Sequence, residues 1–166
     1  MTANIRPAQL ADMPAVGRLG ATLMRAHYEF DRQRFIAPFE GVEKGYASFL
    51  QSILRSADNV ILVAEDGSEI VAYVWAALEP LSWKELRGPA GFIHDLVVSE
   101  ESRRHGIARR LMDAAIEWLR EHKAPRVVLW AAAPNDTAQA LFESLGFRET
   151  MIEMTLELND EPPAAV

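Results

Sequence analysis

The chain predicts an α/β domain, built on one mixed, mostly antiparallel sheet of about seven strands with helices on both faces. Three observations carry this. Two β-branched runs, Val60–Glu65 and Ile70–Ala77, flank Asp66-Gly67-Ser68, a hairpin signal. Later apolar strands are separated by helix-length amphipathic segments, as crossover connections require. The 166 residues, 49% hydrophobic and 25% charged, suit one soluble domain with a single core.

Element by element, Ile5-Arg6-Pro7-Ala8 reads as a short opening strand. Leu10, Met13, Val16, Leu19, Leu23 and Met24 recur with helical rhythm from about Gln9 to Tyr28. Pro14 falls in the first turn, where a missing N–H costs least. The aperiodic stretch from Phe30 to Phe39 reads as a loop, and a second helix follows from about Val42 to Ser56. After the hairpin, a polar loop with Pro80, Trp83 and Gly88-Pro89 leads to a fourth strand, Gly91–Val98. Ile107, Leu111, Met112, Ala115 and Leu119 mark one face of the next helix. Arg126–Ala131 reads as a buried strand. Asn135 or Asp136 can cap a further helix, and Gly146 is suited to end it. Phe147–Glu149 and the alternating Met151–Leu158 are expected to close the sheet. No repeat or linker divides the chain. A single domain is expected over residues 1–158, with 159–166 a disordered acidic, proline-containing tail.

The composition narrows the function. The formal charge is −7, which disfavours nucleic acid as a partner and suits a cationic substrate. No apolar run is long enough to span a membrane, and the first residues lack a signal-peptide apolar region. There is no cysteine, so disulfides, thiolate metal sites and a cysteine nucleophile are excluded. The histidines are scattered, and no metal site is expected. A cytoplasmic location is the default expectation.

Two stretches carry chemistry. In the first, Val97-Val98 empties into Ser99-Glu100-Glu101-Ser102-Arg103-Arg104-His105-Gly106-Ile107-Ala108, a basic glycine-containing turn at a helix N-terminus. Uncapped N–H groups and the helix dipole make such a turn a phosphate cradle. Amides from about Arg104 to Arg109 would line it, with charge from Arg103, Arg104 and Arg109. Gly106 lets backbone approach a phosphate without a Cβ in the way. The second stretch is Asn135 followed by Leu141-Phe142-Glu143-Ser144-Leu145-Gly146-Phe147.

Together these stretches resemble the GCN5-related N-acetyltransferase family, from Ile5 to about Leu158. The first matches the family's Gln/Arg-x-x-Gly-x-Gly/Ala signature as Arg103, Arg104-His105, Gly106, Ile107, Ala108. The second matches its Asn…Tyr-Glu-Lys-x-Gly-Phe signature. The resemblance implies an acetyltransferase fold, acetyl-CoA as cofactor and an amine acceptor. It implies that backbone groups of Leu96 to Val98 pair with the pantetheine arm. A backbone N–H near Val97 would serve the oxyanion, and Asn135 would bond the arm, or simply cap its helix. The family often has glycine at the position of Arg104, which suggests a somewhat different turn here.

Transfer needs a proton acceptor, because an unperturbed ammonium has a pKa near ~10. The resemblance places an acid or base at His94 and Asp95. His94 titrates near neutrality and is the better intrinsic base. Neighbouring strand residues point to opposite faces, so only one of the two should face the site unless a bulge intervenes. Glu79 or Tyr73, reached through waters, is an alternative. Phe142 stands where many members carry a tyrosine that protonates the departing thiolate, and phenylalanine cannot donate. Acceptor choice is expected from segments 25–46 and 79–91, where His27, Tyr28, Glu29, Asp31, Glu40, Trp83 and Glu85 offer carboxylates and aromatics. Tyr73 and Trp75 alternate with Ala72 and Val74, so one pair would floor the pocket and the other is core.

The leading expectation is direct acetyl transfer in a ternary complex to a primary amine of a small molecule (a polyamine, amino acid or aminoglycoside-like compound) or of a peptide. The alternative is a non-catalytic acyl-CoA-binding sensor, kept open by Phe142. The sequence leaves the oligomeric state open, and the dimers common in the family admit a homodimer.

Overall fold

The computed structural model describes residues 3–158. Its elements are β1 (Asn4–Pro7), a 3-10 turn (Leu10–Asp12), α1 (Met13–Phe30), α2 (Val42–Ile53), β2 (Asn59–Asp66), β3 (Glu69–Glu79), β4 (Ala90–Val98), a second 3-10 turn (Glu100–Ser102), α3 (Ile107–Glu121), β5 (Val127–Leu129) and α4 (Asp136–Ser144). The described residues form two compact units, 3–21 with 41–130, and 22–40 with 131–158.

The first unit holds the sheet, ordered β1-β2-β3-β4-β5. The first four strands are antiparallel, and β5 joins β4 in parallel. Gly67, at φ +63°, makes the two-residue loop between Asp66 and Glu69, which face each other across the hairpin. One sheet face receives α3 through Ile107, Leu111, Met112, Ala115 and Leu119, all buried, as their spacing predicts. Gly91 permits that approach, since an added Cβ would lie 2.7 Å from Leu119 Cδ2. The other face carries Tyr73, Trp75 and Asp95 and receives α2, whose Tyr46 and Phe49 reach Asp95 and Trp75. Gly17 and Gly20 let the start of α1 lie against α2, where side chains would overlap Ala47 and the Tyr46 ring. Arg6 ties β1 to the following turn by bonding Asp12 and to β2 by bonding Glu65.

In the second unit, Asn135 caps α4 by accepting from the Ala138 amide at 3.2 Å. Gly146, at φ +91°, ends the helix. Its N–H donates to Glu143 O and that of Phe147 to Phe142 O, the paired bonds of a Schellman motif.

Two expected strands are absent. Phe147–Glu149 and Met151–Leu158 have no regular structure. Met151, Ile152, Met154, Leu156 and Leu158 are each at least 80% exposed. Alternation distinguishes two faces, but a strand also needs a neighbour to take its backbone hydrogen bonds. Among the described residues the second unit contains no strand to supply one. The sheet therefore has five strands among the described residues, not seven, and the expected 126–131 strand shortens to Val127–Leu129. The proposed tail, 159–166, lies outside the described residues.

Candidate active site

The basic turn after β4 has the backbone a phosphate cradle requires. Gly106, at φ +74°, is the N-cap of α3, and no side chain caps that helix end. The first-turn amides of Ile107 and Ala108 thus leave the helix end without a side-chain partner. A Cβ on Gly106 would meet nothing within 4 Å, so the space before the turn is open. Arg104 adopts φ +65°, in the left-handed region that favours glycine. The turn therefore keeps the glycine-type conformation although arginine stands there, at a cost of about 1–2 kcal/mol. Arg103 closes the turn onto the strand, its Nε donating to Val98 O at 3.3 Å. Uncapped amides, cationic side chains and open space fit a diphosphate.

The strand leading into this turn has an edge beside it. β5 pairs only with Gly91, Phe92 and Ile93. Farther along, Leu96, Val97 and Val98 pair with Val74, Tyr73 and Ala72 of β3 on one side. No described strand pairs with them on the other. Such an edge can accept an extended, amide-containing arm through main-chain hydrogen bonds.

A β-bulge brings the acid–base candidates together. Trp75 pairs with Asp95 and the next residue, Ala76, pairs with Ile93, so His94 is the extra residue of β4. An undisturbed strand would have separated His94 and Asp95 onto opposite faces. Here both lie on the face bearing Tyr73 and Trp75. The His94 ring is stacked between Trp75 and Phe92, with centroids 4.1 and 4.6 Å away. Its Nε2 lies 3.0 Å from Glu79 Oε1. Glu79 Oε2 in turn accepts from Arg87 Nη2 at 2.5 Å. The side chain of His94 remains 25% exposed.

Asp95 is only 7% exposed, and its Oδ2 accepts from both Tyr46 and Tyr73, at 2.8 and 2.9 Å. Burial, and then the Asp95 charge, raise both phenols far above their ordinary range, so they stay protonated donors. Burial pushes the His94 imidazole below its usual value, while Glu79 and Asp95 pull it the other way. The net direction is down, which leaves the imidazole neutral at neutral pH.

The remaining candidates fall into distinct settings. Tyr73 is fully buried and its hydroxyl donates to Asp95. Trp75 stacks on His94 and donates from Nε1 to Asn59. Trp83 sits at the tip of the β3–β4 connection, 83% exposed, beside a small cavity lined by Leu81, Leu86 and Arg87. In the second unit, His27 contacts Leu23 O and the rings of Phe30 and Phe35. Asp31 accepts from the amides of Gln33 and Arg34, an Asx turn that shapes its loop. Tyr28 lies under the Arg32 guanidinium. Phe142 is buried there, edge-on to Phe147. Arg87 and Tyr46 were not singled out by the sequence. Their only signal is membership of the segments expected to vary with the acceptor.

Known proteins resemble this chain in sequence and fold. The profile of the acetyltransferase (GNAT) family matches residues 22–147. An uncharacterised N-acetyltransferase of Bacillus subtilis, YhfO, is 28% identical over 148 residues, covering 88% of this chain and 90% of its own. A variant of the BH1408 protein from Bacillus halodurans superposes with a TM-score of 0.80 at 28% identity, covering 94% of this chain and 99% of its own. A predicted acetyltransferase from Clostridium acetobutylicum, solved with acetyl-CoA, shares the fold with a TM-score of 0.71 at 20% identity over 94% of this chain and 96% of its own. The chain therefore belongs to the acetyltransferase (GNAT) family and is an N-acetyltransferase that takes its acetyl group from acetyl-CoA.

Proposed function

We propose that this N-acetyltransferase acetylates the primary amine of a small molecule or peptide by direct attack, with His94 as the base. The observation that supports this reading is the bulge. It brings a half-buried, neutral imidazole into one cluster with two carboxylates, those of Glu79 and Asp95. A cation approaching this face meets acidic groups, and the chain's overall charge of −7 favours the same encounter.

The cofactor supplies an activated acetyl thioester when bound. The amides after Gly106, with Arg103, Arg104 and Arg109, would hold its diphosphate. The unpaired edge at Leu96–Val98 would align its arm. The N–H groups directed to that edge are those of Leu96 and Val98, because Val97 faces Tyr73 in the same register in which the Ser99 N–H donates to Val71 O, so the donor expected at Val97 moves to a neighbouring amide. Asn135 uses its side-chain oxygen to cap α4, and the cap leaves its carboxamide N–H groups available to a ligand. His94 removes the proton that makes the acceptor an ammonium. Phe142 supplies no proton to the departing sulfur, and catalysis tolerates this. A thiol with pKa ~8.5 lies only about 1.5 units above neutral pH, roughly 2 kcal/mol.

Thiol release from acetyl-CoA over a panel of polyamines, amino acids, aminoglycosides and peptide N-termini tests the reading. Turnover on a primary amine, lost in His94→Gln while CoA affinity holds, is the expected result. Turnover unaffected by that substitution would remove His94 from the chemistry.

A further inference from the structure

We propose that Glu79, clamped by Arg87, is a positioning residue that fixes the tautomer of His94 and makes Nδ1 the atom that takes the acceptor's proton. The inference rests on the reading of His94 as the base. It adds the element that decides which edge of the ring does the work.

The argument starts from the ring's freedom. Trp75 and Phe92 cover its two faces, at interplanar angles of 26° and 21°. Stacking of this kind restrains the plane of the ring but not the identity of the edge presented to the site. Glu79 settles the edge, because its Oε1 lies 3.0 Å from Nε2. An ionised carboxylate can only accept a hydrogen bond, so Nε2 must carry the proton and Nδ1 the lone pair.

Arg87 holds the Glu79 carboxylate in place. A guanidinium is always charged, and this one is held by four contacts. Nη2 donates to Glu79 at 2.5 Å, Nε to Glu85 at 2.7 Å and Nη1 to Gly88 O at 3.2 Å. Its carbon also lies over the Phe92 ring at 5.8 Å. The Ser82–Arg87 bridge anchors the backbone beneath it, with N···O distances of 2.8 and 3.0 Å.

The charged and titratable groups facing His94 are few. Glu79 comes from β3, Asp95 from β4 and Arg87 from the connection between them. The hydroxyls of Tyr46 on α2 and Tyr73 on β3 are directed to Asp95. An imidazolium formed here would face two carboxylates.

The proton balance is simple. The acceptor's ammonium N–H bond breaks and an Nδ1–H bond forms. The electron pair left on the acceptor nitrogen becomes the nucleophile. The Nε2 proton stays on the ring, still donated to Glu79. Neither Glu79 nor Arg87 gains or loses a proton.

The test has one arm that needs no substrate. Long-range 15N–1H correlation spectra of the unliganded, full-length protein at pH 8 should show His94 as a single tautomer protonated at Nε2. In Glu79→Gln the amide can accept through oxygen or donate through nitrogen, so both tautomers should appear. Loss of the Glu79 charge, which raises the imidazole pKa, should also move its titration to lower pH. With the best amine from the panel, kcat should fall about 100-fold, within the range for a misaligned general base. KM for acetyl-CoA should stay within about twofold, and Glu79→Asp should recover part of the rate. Arg87→Gln, which leaves the carboxylate in place, should act in the same direction more weakly.

An Nδ1-protonated or mixed tautomer in the native protein overturns the proposal. So does a Glu79→Gln protein with unchanged tautomer and kcat. If His94→Gln slows turnover and Glu79→Gln does not, the base survives and its positioning by Glu79 fails. If the tautomer is fixed by Glu79 but neither substitution slows turnover, the reading of His94 as the base fails, and the catalytic part of the inference fails with it.

Discussion

The turn after β4 and the face around its bulge lie within a few residues of each other on one strand, yet they are built on different principles. The turn works through main-chain geometry. Its two left-handed residues, Arg104 and Gly106, aim an uncapped helix end outward, and the side chains add only charge. The bulged face works through side chains collected from separate places. Glu79, Arg87, His94 and Asp95 meet there, with Tyr46 and Tyr73 behind them. One site is local in sequence and tolerant of side-chain change. The other is assembled from distant positions and tolerates little. On the proposed reading, holding a cofactor common to the family would ask for the first kind of site, and deprotonating a particular acceptor for the second.

Substitutions can break or sharpen this contrast. The largest effect is expected at Gly106. Gly106→Glu forces a side chain into φ +74° and sets a negative charge at the proposed diphosphate position. CoA affinity should fall about 100-fold or more, ~2.7 kcal/mol, by calorimetry, with the circular dichroism spectrum unchanged. Full affinity in that variant would remove the turn from cofactor binding.

His94→Gln should lower kcat about 100- to 1,000-fold while leaving CoA affinity intact. The contrast then appears as a clean split between binding and turnover. The pH profile carries a sign as well. A base must be unprotonated, and burial holds this imidazole below its usual value. The acidic limb of kcat should therefore lie below the ordinary imidazole range, with activity rising as pH increases through it. A limb above that range would mean a different group is titrating.

Phe142→Tyr restores the hydroxyl common in the family and should raise kcat by no more than about tenfold, or ~1.4 kcal/mol. A gain of a thousandfold would show that sulfur protonation limits the natural protein. The smallest effect belongs to Arg104→Gly. The backbone there is already in the glycine region, so CoA affinity should change only a few-fold, through the lost charge. A large loss would show that the cradle depends on that side chain more than on the shape of its turn.

Much of the fold was legible because it rests on local rules. The buried stripe of α3, the Asp66–Glu69 hairpin, the Asn135 cap and the Gly146 terminus all follow from spacing or from one residue's conformational preference. The turn after β4 was legible for the same reason, since a strand, a basic glycine turn and a helix start are contiguous. The region after Gly146 was misread because alternation records which faces differ, not whether a neighbouring strand exists. The acid–base face was legible only in part. His94 and Asp95 were visible as adjacent polar residues in an apolar strand, but strand periodicity placed them on opposite faces.

The sequence by itself determined the glycine turn after β4, the helices and the hairpin, because each depends on interactions within a few residues. Only the tertiary structure decided which side chains share a face. A bulge that adds one residue to β4 reverses the alternation at His94. The contacts of Glu79 with His94 and of Tyr46 with Asp95 join positions that sequence spacing cannot relate. Those contacts exist because β3, β4 and α2 bury one apolar surface together, and their register is fixed by that burial and not by any single segment.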